Sequence, residues 1–268
     1  MKLKDLATAG LVSLLAVQGG MACAQAPHWE FTGSLGLVHR QLEERTTFGS
    51  TLLTETGPMA QLRLHAVRPL QSGGALAGRV TLLGGDLDYE GQTQAGAPLS
   101  TTTRQTEATV DLLWRPLAPA AWGEAWLTAG WLGNRRAIRS TPVAGGLDER
   151  SAAAMLGALW RTPVLGSLAA WQVRAEVEGR ISLRHRLYVD YLGLLDESRF
   201  SGARKRELAV RFLGSVPGSP WEWGVELHGL SQPASAAVPV TRGGAPFGIV
   251  RQPALTQLDV GLRLSRRF

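Results

Sequence analysis

Gln257-Leu258-Asp259-Val260-Gly261-Leu262-Arg263-Leu264-Ser265-Arg266-Arg267-Phe268 is the stretch that decides the fold class. On an extended backbone Leu258, Val260, Leu262, Leu264 and Phe268 fall on one face. Gln257, Asp259, Gly261, Arg263, Ser265 and Arg267 fall on the other. A period of two is the periodicity of a strand with two unlike faces. The same alternation recurs upstream in Trp29–Val38, Met59–Val67, Leu76–Tyr89, Gln105–Arg115 and Gly123–Gly133. It continues in Ser151–Arg161, Leu168–Tyr188, Lys205–Leu213 and Trp221–Gly229. Ten strands are therefore expected, with eight or twelve left open by the long Leu168–Tyr188 stretch.

The connections alternate as well. Pro69–Ala75, Pro116–Trp122, Thr162–Ser167 and Gly214–Pro220 are short and rich in Pro, Gly and Ser. His39–Pro58, Glu90–Arg104, Asn134–Arg150, Val189–Arg204 and Leu230–Pro253 read as longer loops. Short turns at one end and long loops at the other define an up-and-down transmembrane barrel. The aromatic residues sort by end. Trp29, Trp114, Trp122, Trp160, Trp171, Trp221 and Trp223 collect at the short-turn end, while Tyr89, Tyr188 and Tyr191 lie toward the long-loop end. Two aromatic girdles at two membrane–water interfaces are the expectation.

Composition agrees with an exported barrel. With 44% hydrophobic and 19% charged residues the chain is not disordered in type. One cysteine excludes a disulfide framework and a multi-cysteine zinc site. Lys2 and Lys4, the apolar Leu6–Val17 run and Ala22-Cys23-Ala24 form a signal-peptide pattern. The expected organisation is a signal peptide over 1–24 and a barrel over 25–268. Cys23 as a lipoprotein cysteine is disfavoured, because Gly20 stands where that signal has leucine. Beyond this segment no apolar run reaches the length of a spanning helix. The net charge is +6, and for an exported chain surface phosphates are more accessible anions than nucleic acid.

An export signal, amphipathic strands throughout and a final strand ending in Phe268 resemble the Gram-negative outer-membrane β-barrels. The fold class expected is all-β, a transmembrane antiparallel up-and-down β-barrel. The resemblance implies residence in the cell outer membrane and contact with its lipid and lipopolysaccharide. It also implies recognition of the Phe268 strand by the barrel-assembly machinery, and folding without cofactor or metal.

The polar face of the strands carries charge of both signs. Arg63, Glu107, Asp111, Arg174, Glu176, Glu178, Arg211, Glu226, Asp259 and Arg263 are expected to face inward. Arg79, Arg180, Glu207 and His228 share that face. A barrel of about ten strands is narrow, and unpaired buried charges would each cost several kcal/mol. A lumen plugged by ion pairs is the expected arrangement.

Chemistry, if any, is expected at the long-loop rim. Asp86-Leu87-Asp88 ends the third strand; His185 and Asp190 flank the end of the seventh. This layout is similar to the omptins, ten-stranded outer-membrane proteases. That family's Asp-x-Asp pair matches Asp86 and Asp88, but its Asp-x-His pair has no counterpart in His185-Arg186-Leu187-Tyr188-Val189-Asp190. A general base needs its carboxylate within hydrogen-bond reach, and His185 and Asp190 have opposite strand parity. Arg135, Arg136, Arg139, Arg204, Lys205 and Arg206 are the expected contacts for lipopolysaccharide phosphates. Three functional classes follow. The leading one is a non-enzymatic surface, structural or ligand-contacting barrel. The others are a narrow channel for small solutes, and an omptin-like rim protease or lipid-modifying enzyme.

Overall fold

The computed structural model describes residues 28–92, 96–168 and 170–268; the signal segment with Cys23 lies outside them. The strands are β1 (Glu30–Arg45), β2 (Thr51–Pro69), β3 (Ala75–Gln92), β4 (Pro98–Arg115), β5 (Glu124–Ile138), β6 (Leu147–Arg161) and β7 (Gly166–Leu168). They continue as β8 (Trp171–Asp190), β9 (Ser198–Ser201), β10 (Arg206–Ser215), β11 (Trp221–Gln232), β12 (Val238–Arg242), β13 (Ala245–Val250) and β14 (Ala254–Arg267). Ten of them close a ring in the order β1-β2-β3-β4-β5-β6-β8-β10-β11-β14, each antiparallel to its neighbours. β7 and β9 extend the sheet beside β8, and β12 and β13 form a separate hairpin.

Closure follows from the alternation. Leu35, Leu37, Leu64, Leu82, Val110, Leu112 and Leu262 point away from the lumen, and Leu37 and Leu262 are 69% and 65% exposed. An exposed apolar belt of this extent suits hydrocarbon rather than water, and a closed ring leaves no sheet edge unpaired within it. Trp29, Trp114, Trp122, Trp160, Trp171 and Trp221 are exposed. Arg266 lies over the rings of Trp221 and Phe268, 5.4 and 5.3 Å from their centroids. The Phe268 amide donates to the Phe31 carbonyl at 2.9 Å, tying the chain end to β1.

The tyrosines differ from expectation. Tyr89 faces inward and is buried with Leu42 and Leu53. Tyr191 packs against the buried Leu187–Val189–Phe200 cluster. Tyr188 carries the Arg199 guanidinium 5.7 Å from its ring centroid. No second aromatic girdle forms from these three, because the strands that carry them run well past the apolar belt.

That overrun also corrects two loops. β1 and β2 pair as far as Arg45 and Thr51, leaving only a tight turn over 46–50. β3 and β4 likewise pair to Gln92 and Pro98. Beyond the belt the outward positions become His39, Gln41 and Glu43, so the hydropathy contrast disappears while the backbone ladder continues. The Leu230–Pro253 segment packs against the long-loop end of β8 and β9. Its β12–β13 hairpin is clipped to Asp196, which accepts from Thr241 Oγ1 at 2.5 Å and from the Gly243 and Gly244 amides at 3.0 and 2.9 Å. Val238 and Val250, at its two ends, pack on the Leu187 cluster.

One irregularity re-aims side chains. The β6–β8 register shifts between Ala154, opposite Arg184, and Met155, opposite Ser182, so Leu183 is an extra residue. Bulges reset the facing of all that follows. Arg174, Glu176, Glu178, Arg180 and Ser182 face inward before it, and His185, Leu187 and Val189 face inward after it.

Candidate functional site

The lumen is crossed by a chain of alternating charges. Arg63 of β2 meets Glu226 of β11 at 3.2 Å, and Glu226 meets Arg211 of β10 at 3.2 Å. Arg211 meets Glu178 of β8 at 2.8 Å, and Glu178 accepts from Arg79 of β3 at 2.9 Å. Arg79 also holds Asp111 of β4 at 2.8 Å, Asp111 holds Arg180 at 3.1 Å, and Arg180 holds Glu207 at 2.5 Å. Four guanidiniums and four carboxylates thus neutralise one another across the barrel. Desolvated pairs need such satisfaction to be tolerated. Asp111 fits because Gly130 lies beneath it; a Cβ there would strike its carboxylate. The free space at this level is about 60 Å³, enough for a few waters.

Above this chain lies a second layer. Arg40 is fully buried and holds Asp259 through Nε at 2.9 Å and Nη2 at 2.8 Å, with Glu107 at 3.5 Å. Higher still, Arg136 receives Glu44 at 2.5 Å, Glu55 at 2.8 Å and Glu149 at 3.0 Å. Thr103 adds a hydrogen bond to Glu55 at 2.6 Å. Three carboxylates around one guanidinium leave an acidic surplus. Burial first, then repulsion from Glu149 and Glu55 against the pull of Arg136, pushes the Glu44 carboxyl up to about 7. Leu42, Leu53 and Tyr89, with Leu99, Ile138 and Leu255, pack beside this layer.

Arg40, Glu44 and Glu55 are not among the residues expected to face inward, because the run 39–58 reads as a loop. Their signal was present: Val38, Arg40, Leu42 and Glu44 keep one parity, and all four are buried.

The expected rim residues do not converge. Asp86 and Asp88 lie on the outer face of β3 and are exposed. Asp86 accepts from Arg104 Nε at 2.9 Å, and that hydrogen bond holds its carboxyl below the usual range. His185 points inward and is 4% exposed. Burial and the nearby Lys205 push its imidazole down to about 4. Gly202 packs on that ring where a Cβ would collide. Asp190 accepts from the Leu192 amide at 2.8 Å. The Asp pair and the histidine are thus on opposite faces of the barrel wall, and a shared water cannot be held between them.

The expected phosphate contacts divide by parity. Arg135, Arg139, Arg204 and Arg206 are exposed on the outer side, Arg135 bound to Asp148 at 2.7 Å. Arg136 and Lys205 are buried inside and cannot meet lipid. Lys205 has the parity of the inward Glu207 and Arg211, which the sequence already carries. The outward face instead adds Arg104, Arg150, Arg184 and Arg186, all exposed. Arg184 and Arg186 stand on β8 above Ile181 and Leu183, Arg206 stands on β10 above Leu208 and opposite Ile181, and none of the three engages a carboxylate among the described residues.

No family model matches the sequence, and no curated protein matches it. Among solved structures, the outer membrane protease OmpT from Escherichia coli superposes with a TM-score of 0.56 at 12% identity, over 90% of this chain and 96% of that one. The translocator domain of the autotransporter NalP from Neisseria meningitidis gives 0.46 at 8% identity, over 91% and 90%. Neisserial surface protein A gives 0.36 at 9% identity, over 89% and 97%. At 12% identity the likeness to OmpT is one of fold alone. The chain has the fold of the outer-membrane β-barrels, as a closed antiparallel ring of ten strands.

Proposed function

We propose that this chain is a sealed, non-enzymatic surface barrel of a Gram-negative outer membrane, exported by its 1–24 segment, whose outer face and long-loop end carry its contacts. The observation that supports this reading is the neutral chain of ion pairs from Arg63 to Glu207, with only about 60 Å³ free beside it. The Arg40 and Arg136 layers lie above it, with the Leu42 cluster beside the upper one. Ions would have to strip guanidinium–carboxylate pairs to pass, and breaking a buried pair costs about 3–5 kcal/mol. The refolded protein should therefore give no single-channel steps in planar bilayers, from samples whose folding is verified by heat-modifiable gel mobility. Regular steps would replace this reading with the narrow channel.

The lipid partner on this reading is lipopolysaccharide. Arg184, Arg186 and Arg206 stand without a carboxylate partner among the described residues at the upper edge of the apolar belt, with Arg204 two residues from Arg206, while Arg139 lies on the other side with Arg104. On β2–β5 a lipid-facing recess of about 770 Å³ runs over Ala60, Gly84, Ala108 and Gly133, beneath Arg135 and Arg150. Guanidinium binds phosphate in two-point fashion, and a recess of small residues admits an acyl chain. A triple variant Arg184→Gln/Arg206→Gln/Arg186→Gln should bind lipopolysaccharide about tenfold or more weakly, as loss of charge-assisted bonds of ~1.5–3 kcal/mol requires. Unchanged binding would remove the arginine belt from this reading.

A further inference from the structure

Below the ion-pair chain the lumen opens at the short-turn end, which is periplasmic in barrels of this class. There it widens into a vestibule of about 340 Å³. Pro69, Pro220 and Trp221 mark its mouth; Arg63 and Arg79 form its inner end. Unlike the neutral layer above, its lining is biased: apart from Arg63 and Arg79, which that layer neutralises, five arginines face it against four glutamates, one of which, Glu30, is at the rim.

The glutamates are already shared. Glu124 serves Arg115 at 3.1 Å and Arg161 at 3.5 Å. Glu176 serves Arg161 at 2.7 Å and Arg211 at 3.7 Å. Glu222 serves Arg174 at 2.5 Å and has Arg263 only at 3.9 Å. Glu30 sits exposed at the rim. Cationic capacity is left over. The Arg263 side chain is 10% exposed, and its Nε has no hydrogen-bond partner. Arg115 Nε is likewise unpartnered. Arg267 at the mouth forms no ion pair among the described residues. Buried guanidinium donors without acceptors are costly, and an added anion with several acceptor oxygens would satisfy them.

We propose that this blind vestibule binds a small oxyanion of at least two charges, presented from the periplasm, with Arg263, Arg267 and Arg115 as its principal donors. Phosphate and polycarboxylate share that chemistry, since both match the guanidinium fork. A compact anion fits the volume, and a folded partner does not. The site holds its ligand without passing it on, because the ion-pair chain closes the inner end.

The test is calorimetric titration of the refolded barrel in neutral detergent with inorganic phosphate and, separately, with citrate, against sodium chloride of matched ionic strength. Saturable one-to-one binding is expected for at least one of the two, and the one that binds identifies the oxyanion type. Arg263→Gln should weaken it about tenfold, on the scale of one charge-assisted bond. Arg267→Gln, an exposed position with no ion pair to lose, should weaken it severalfold without disturbing the fold. Arg184→Gln/Arg206→Gln on the outer face should bind as wild type. The proposal is overturned by the absence of binding beyond chloride. It is equally overturned if binding survives both vestibule variants unchanged, or if the outer-face variant abolishes it.

Discussion

Arg136→Met should destabilise the folded barrel by about 3–5 kcal/mol at pH 8, the usual range for removing one partner of a buried charge pair. It should cost far less at pH 5. Methionine keeps most of the volume, so packing changes little, but Glu44, Glu55 and Glu149 then lose the guanidinium they share, and of the nearby cations only Lys205, on the Glu149 side, remains. At pH 5 Glu44 takes up a proton and the repulsion falls. The wild-type cluster already leans this way. Its Glu44 carboxyl sits near 7, against an unfolded value of 4.5. For an acid whose folded value is raised, the stabilisation is complete below 4.5 and is lost as pH rises through 7. Glu44→Gln should therefore gain on wild type as pH rises, the difference levelling near 3 kcal/mol above pH 7. Using the difference matters, because His185, depressed to about 4, drives wild-type stability the opposite way between pH 6.5 and 4. Urea unfolding followed by tryptophan fluorescence from pH 4 to 8 gives both comparisons. A Glu44→Gln curve parallel to wild type would show that Glu44 titrates alike in the folded and unfolded chain, and that Arg136 offsets its burial and the repulsion fully.

What the sequence makes legible here follows the solvent. Within the apolar belt the two faces meet hydrocarbon and lumen, so period-two contrast is sharp and the inward facing of Arg63, Asp111, Glu178 and Arg211 can be read directly. Past the belt both faces meet polar surroundings. His39, Gln41 and Glu43 outside then look like Arg40 and Glu44 inside, and a strand reads as a loop. Local exceptions to parity are equally hidden: the extra Leu183 in β8 turns His185 inward, and nothing in the residues around it announces a bulge. Which arginine meets which glutamate is a third kind of information. Arg79 and Glu178 lie 99 positions apart, and their meeting depends on the stagger of the whole closed sheet. The separation of Asp86 and Asp88 from His185 is of the same kind. Strand parity places the Asp pair outside, while ring closure and one bulge place the imidazole inside.

That dependence on stagger gives the second large effect. Arg79→Met should cost about 3–5 kcal/mol, because it strips Nε from Asp111 and both terminal nitrogens from Glu178 while leaving those carboxylates buried. Adding Glu178→Leu should recover most of the loss. The double variant removes one charge of each sign, Asp111 keeps Arg180 at 3.1 Å, and Arg211 keeps Glu226 at 3.2 Å. Replacing a buried pair by apolar side chains is often neutral, so the coupling energy of the cycle should reach at least about 2 kcal/mol. Urea midpoints of wild type, both single variants and the double variant in the same detergent measure it. Additive losses would mean that water screens Arg79 from Glu178, and with it the seal across the lumen would fail as an explanation for a closed barrel. A strong coupling would mean that the pair is dry. It would also mean that the charges act as a register key: a shift of β4 by two residues would set Thr109 or Leu113 opposite Arg79 in place of Asp111, although the apolar belt would tolerate the shift without penalty. On that account the lumen charges select the stagger that the lipid-facing leucines alone leave degenerate.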